Sequence, residues 1–129
     1  MANVNKIVLV VDDSPSIRRE VKVILEKDGF TVREAGSEFG MFSAIEEYSV
    51  KADVVLMDLN LNDANGFDLV SKLRATEKYR NIPILILTEN SSRDNVVMAK
   101  MLGVDGYIVK PIIADVLREK IRNIFIANA

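Results

Sequence analysis

Apolar residues fall into short runs along this chain, and each run stops at polar or turn residues. Lys6 to Val11 (KIVLVV) is unbroken and predicts a strand buried on both faces, as in a parallel sheet covered by helices. It ends in Asp12-Asp13, and Ser14-Pro15 then supplies a capping hydroxyl with proline at the first helical position. Ile17, Val21, Ile24 and Leu25 recur at helical spacing until Gly29 stops the helix. Phe30 to Ala35 is a second, more polar strand, nearer an edge. Ser37 to about Ser49 predicts a second helix with Met41, Ile45 and Tyr48 on one side, weakened by Gly40. Asp53 to Met57 is a third strand, β-branched at its start, which ends abruptly on Asp58 before Asn60, Asn62, Asp63, Asn65 and Gly66. Phe67 to about Lys78 is a third helix carrying Val70 and Leu73 inward. Ile82 to Leu87 is a fourth strand, with Pro83 tolerated near its start. Ser91 or Ser92 caps a fourth helix that runs to Leu102, stops at Gly103 and turns Met98 and Met101 into the core. Gly106 to Val109 is a fifth strand, followed by Lys110-Pro111. Ile113 to about Ile126 is the last helix, with Leu117, Ile121, Ile124 and Phe125 facing in.

Five strand–helix pairs in strict alternation predict an α/β fold with a parallel sheet and helices on both faces. A length of 129 residues favours one domain over residues 1–129. The chain has no linker or low-complexity segment. A net charge of −2 and a pI near 5.2 argue against direct nucleic-acid binding. There is no cysteine, so disulfides, thiolate zinc sites and cysteine nucleophiles are excluded. There is no histidine either, which removes the commonest general base and the commonest transition-metal ligand. Any metal would then be a hard cation on oxygen ligands. The start MANVNK has no signal-peptide pattern, and no apolar run reaches the ~18 residues of a membrane span, so the expected location is the cytoplasm.

Polar residues at strand ends are ordinary one by one. Asp12-Asp13 suits a loop and cap, Thr88 a helix cap, and Lys110 a solvated lysine. Their joint pattern says more. Asp12 and Asp13 end the first strand, Asp58 the third, Thr88 the fourth and Lys110 the fifth. In a parallel sheet all these ends share one edge, where open α/β sheets bind ligands at the reversal of strand order. Three acids brought together repel unless a cation intervenes, and with oxygen ligands alone Mg²⁺ is the natural choice. A positioned carboxylate can be a nucleophile and carry a phosphoryl group. The phosphoryl oxygens would meet Mg²⁺, Lys110, and the Thr88 hydroxyl with backbone N–H groups.

Ile7 to Asp13, the Asp58 strand, Gly66, the Thr88 strand and Gly106 to Pro111 (GYIVKP) together resemble the receiver domain of bacterial two-component response regulators, across about Lys6 to Phe125. The resemblance implies a flavodoxin-like (βα)5 three-layer sandwich with sheet order 2-1-3-4-5. It implies that Asp58 accepts a phosphoryl group from a sensor histidine kinase or a histidine phosphotransfer protein. Asp12, Asp13 and Asp58 would hold Mg²⁺ with the backbone carbonyl of Asn60. Lys110 would contact the phosphoryl group or, before phosphorylation, Asp58. Thr88 would swing toward the phosphoryl oxygen and Tyr107 would follow inward, changing the surface of helix four, strand five and helix five. A downstream protein or a fused effector domain would read that surface, and a phosphorylation-dependent dimer is compatible with it. Such a chain is a phosphoacceptor signalling domain that assists its own phosphorylation and dephosphorylation, not an enzyme. The Lys110-Pro111 bond would be cis.

Four features depart from the family pattern. Asn62 stands where proline is common, and Glu89 where a small residue is usual, so that a bulky acid stands by the site. Asn60 and Asn90 occupy positions that tune loss of the phosphoryl group to water. Ile112 replaces a frequent phenylalanine as a packing substitution. Arg18, Arg19 and Lys22 make a basic face on the first helix, read as solvated, with kinase docking as the functional alternative. Two other functions compete. A pseudo-receiver would keep the fold and bind partners without phosphorylation. A haloacid-dehalogenase-like phosphatase would need an acid two residues after the nucleophile, where this chain has Asn60. A flavin carrier is disfavoured because no phosphate loop follows the first strand.

Overall fold

The computed structural model describes residues 6–47, 52–89 and 92–127. Tyr48, Ser49, Asn90 and Ser91 lie outside the described residues. The elements alternate as expected: β1 (Ile7–Val11), α1 (Pro15–Lys27), β2 (Thr31–Ala35), α2 (Glu38–Glu47), β3 (Val54–Asp58), α3 (Gly66–Ala75), a 3₁₀ turn (Glu77–Tyr79), β4 (Ile84–Thr88), α4 (Arg93–Met101), β5 (Gly106–Val109) and α5 (Ala114–Ala127). All strand pairs are parallel, in the order β2-β1-β3-β4-β5. This is the flavodoxin-like (βα)5 fold. No described helix is long and apolar enough to cross a membrane.

The unbroken apolar runs are explained by two-sided burial. Leu9 and Val11 of β1 and Val55 and Met57 of β3 point into a core with Met41 and Ile45 of α2 and Leu69, Val70 and Leu73 of α3. Val8, Val10, Val54 and Leu56 point the other way, into a core with Val21 and Leu25 of α1 and Leu117, Ile121 and Ile124 of α5. Ile112 packs into this second core, as expected of a packing substitution. β2 alternates and lies at an edge, as its polar residues predict.

Two expectations need correction. The third helix ends at Ala75 and not near Lys78, because the Thr76 hydroxyl donates to the Lys72 carbonyl (2.9 Å) and Thr76 turns extended. Met98 and Met101 are not core: they are 42% and 75% exposed. On α4 the fully buried position is Ala99, and Val97, Met98 and Met101 share the outward side. Helical spacing groups residues on a face without saying which face is covered.

The edge opposite the strand C-termini is tied down by acids. Asp53, just before β3, accepts from Ile7 N–H (2.7 Å), and Asp105, just before β5, accepts from Ile84 N–H (2.8 Å). Arg74 of α3 donates to the carbonyls of Arg80, Ile82 and Gly103 at 2.7–3.0 Å and lies 3.8 Å from Asp105. Burial lowers the Arg74 pKa, and the Asp105 charge opposes that.

Candidate functional site

Strand register assembles the site. Val11 pairs with Met57, so Asp12 follows β1 at the level of Asp58. Asp58 pairs with Leu87, and Thr88 pairs with Val109, so Thr88 and Lys110 lie just beyond. Turn chemistry then fixes the acids. Asp12 Oδ1 accepts from Ser14 N–H (2.9 Å), and Ser14 caps α1 by accepting from Ile17 N–H (3.3 Å). After β3 the chain folds back on itself at Gly66, whose N–H donates to the Leu59 carbonyl (2.9 Å). A Cβ at Gly66 would lie 2.3 Å from the Asp58 carbonyl oxygen, so only glycine lets α3 start there.

Asp12, Asp13, Ser14, Asp58, Asn60, Glu89 and Lys110 line a cleft of about 310 Å³. Asp58 is its floor, only 3% exposed. Burial raises the Asp58 carboxyl above its ordinary range, and the Asp12 charge adds to this. The Asn60 N–H on Asp58 Oδ1 (3.2 Å) and the Lys110 ammonium act in the opposite sense. Lys110 Nζ is 2.7 Å from Asp12 Oδ2 and 3.5 Å from Asp58 Oδ1. It therefore sits closer to Asp12 than to Asp58, the partner expected before phosphorylation. The Asp12 contact is a close ion pair off the angle of a hydrogen bond, since Asp12 Oδ2 is buried and lacks one. Burial alone would lower the Lys110 pKa, but the contact with Asp12 and the Asp58 charge together raise it. The ammonium form of Lys110 is thus held more firmly than that of a free lysine. The Lys110–Pro111 bond is cis.

Carboxylate oxygens of Asp12, Asp13 and Asp58 lie within 4.8 Å of one another. An all-oxygen, acidic donor set of this size suits a hard divalent cation. Thr88 is fully buried at the end of β4, and Lys110 N–H donates to its carbonyl (2.7 Å). Tyr107 is half-buried and packs against the core that α2 and α3 cover. Glu89 and Asn60 are exposed at the cleft rim, and Asn62 is exposed outside it.

Arg18 departs from the solvated basic face expected of it. Its Nη1 donates to the Asp12 carbonyl (2.6 Å) and its Nε pairs with Glu34 of β2 (3.1 Å). It bolts α1 onto the backbone of the acid turn. Long helical side chains lean toward the helix N-terminus, so an arginine one turn into α1 was the available signal. Arg19 stays exposed.

A family model described as the response regulator receiver domain matches residues 8–122. The chain is 40% identical to chemotaxis protein CheY1 of Helicobacter pylori, covering 93% of this chain and 97% of that protein. It is 37% identical to chemotaxis protein CheY of Pseudomonas aeruginosa, covering 92% and 94%. Among solved structures it superposes on chemotaxis protein CheY4 of Vibrio cholerae with a TM-score of 0.85 at 30% identity, covering 92% of this chain and 98% of that one. A CheY-like receiver domain protein from Methanospirillum hungatei gives 0.82 at 30% identity, covering 92% and 91%. The phosphatase reading falls away with these matches. Matched along nearly its whole length by sequence and by shape, the chain belongs to the response regulator receiver domain family.

Proposed function

We propose that residues 1–129 form one receiver domain whose Asp58 takes a phosphoryl group from a phosphohistidine on a sensor histidine kinase or a histidine phosphotransfer protein. The observation that carries this reading is the buried Asp58 carboxylate at the cleft floor, with Asp12 and Asp13 beside it and Lys110 3.5 Å away. Burial makes the Asp58 oxygen more basic and hence a better nucleophile. That oxygen attacks phosphorus, the P–N bond breaks, and its electron pair leaves with the imidazole nitrogen. Lys110 and the Thr88 hydroxyl compensate charge on the phosphoryl oxygens. The carboxylates of Asp12, Asp13 and Asp58, with the backbone carbonyl of Asn60, would hold Mg²⁺. Bound there, Mg²⁺ supplies charge that relieves the acid repulsion and steadies the phosphoryl oxygens.

Thr88 and then Tyr107 convey the change to the face of α4, β5 and α5. On these elements and the turn before α5, Val97, Met98, Met101, Val109, Ile113 and Val116 are exposed. A downstream protein, a fused effector or a second phosphorylated copy reads this face. The domain assists its own phosphorylation and dephosphorylation, and it works in the cytoplasm alongside its phosphohistidine donor. The test is intact-protein mass after incubation with acetyl phosphate and, separately, with phosphoramidate, each with and without Mg²⁺. One Mg²⁺-dependent phosphoryl addition is expected, absent from Asp58→Asn. Stoichiometric addition to Asp58→Asn would move the acceptor elsewhere, and no addition from either donor would overturn the reading.

A further inference from the structure

The cleft is more acidic than an Mg²⁺ site requires. Among the described residues, Asp12, Asp13, Asp58 and Glu89 line it against one cation, Lys110, a net charge of −3 with every group ionised. A divalent ion would still leave it at −1. Lys110 is already engaged by Asp12 at 2.7 Å and by Asp58 at 3.5 Å. Glu89 forms no salt bridge with a described residue and stands exposed at the rim.

The position of the Glu89 charge matters because phosphoryl transfer runs in line, with the leaving group opposite the nucleophile. Asp58 is the floor and is 3% exposed, whereas Glu89 is exposed at the mouth. A leaving group opposite Asp58 therefore departs toward the mouth that Glu89 borders. An acyl phosphate is a dianion at neutral pH, and its leaving carboxylate gathers negative charge as the P–O bond breaks. A phosphoramidate carries a proton on its nitrogen, so its leaving group is cationic before transfer. We propose that Glu89 is a specificity residue that makes this site prefer N-phosphoryl donors to acyl phosphates, repelling the dianion and attracting the protonated leaving nitrogen. This rests on Asp58 being the acceptor. In both reactions an Asp58 oxygen forms the new bond to phosphorus. With phosphoramidate the P–N pair leaves on nitrogen as ammonia, and with acetyl phosphate the P–O pair leaves on acetate.

The experiment compares initial rates of Asp58 phosphorylation by acetyl phosphate and by phosphoramidate, with Mg²⁺, for the wild type, Glu89→Gln and Glu89→Ala. Phosphorylated protein is separated on phosphate-affinity gels. Glu89→Gln keeps the shape and removes the charge. It is expected to speed the acetyl phosphate reaction about fivefold, the effect of about one unit charge at solvent-screened contact distance. The phosphoramidate rate is expected to stay level or fall. Added salt should speed acetyl phosphate on the wild type and do so less on Glu89→Gln. Equal gains with both donors in Glu89→Ala and none in Glu89→Gln would make Glu89 a steric plug and overturn the proposal. An unchanged donor ratio in both variants would overturn it too. Absence of labelling by either donor in every form would instead remove Asp58 as acceptor, and this inference with it.

Discussion

Asp58 sits under opposing forces. Burial and the Asp12 charge disfavour its ionised form, while the Asn60 N–H and Lys110 favour it, and the first pair prevails. In the unfolded chain the carboxyl returns to its ordinary 3.8. A carboxyl raised in the folded state binds its proton more tightly there, so its ionisation costs stability. The cost is absent below the unfolded value, grows between the two values and is complete above the folded one. Asp58→Asn is therefore expected to raise the melting temperature by a few degrees at neutral pH, with the gain shrinking as pH falls to 3.8. Thermal unfolding of both forms across that range checks it, and a gain independent of pH would trace instead to packing. The acids, Thr88 and Lys110 were legible because each ends a predicted strand, and parallel strands share one edge. The closer approach of Lys110 to Asp12 was not legible, since side-chain direction beyond the strand end depends on packing. Nor was the part played by Arg18, whose partners are a carbonyl and a residue of another strand.

At the scale of elements, the five strands and five α-helices were legible, because two-sided burial leaves continuous apolar runs and one-sided burial leaves helical spacing, whereas the 3₁₀ turn Glu77–Tyr79 reads as the end of the third helix. The outward face of α4 was not legible, since an apolar stripe looks alike whether covered or bare. The capping roles of Asp53 and Asp105 were also hidden. Each precedes a strand and bonds the first N–H of a neighbouring one, so the pairing is visible only once strand order is known. Removing either carboxylate leaves that N–H without its charged acceptor. Asp53→Ala and Asp105→Ala are each expected to cost about 1–3 kcal/mol in urea unfolding. They share no partner, so the double variant should add within about 0.5 kcal/mol. A double variant no worse than either single one would mean that both acids act through one common unit.

Across the whole molecule the two edges of the sheet are built differently. One is tied by Asp53, Asp105 and Arg74, and the other gathers mutually repelling acids around one lysine. Hydrogen exchange should therefore be slowest in β1, β3 and the start of β4. Amides near Asn60 and in the first turn of α4 should exchange faster, and these should slow when Mg²⁺ is added. Uniform slowing over both edges would point to general stabilisation instead. Asp105 holds the base of β5 to the first residue of β4, while Thr88 and Lys110 stand at the tips of the same two strands. The tips are tied as well, since the Lys110 N–H donates to the Thr88 carbonyl at 2.7 Å. Pinned at both root and tip, the two strands resist sliding past each other, so a displacement of Thr88 should carry β5 with it, beside the exposed Val109.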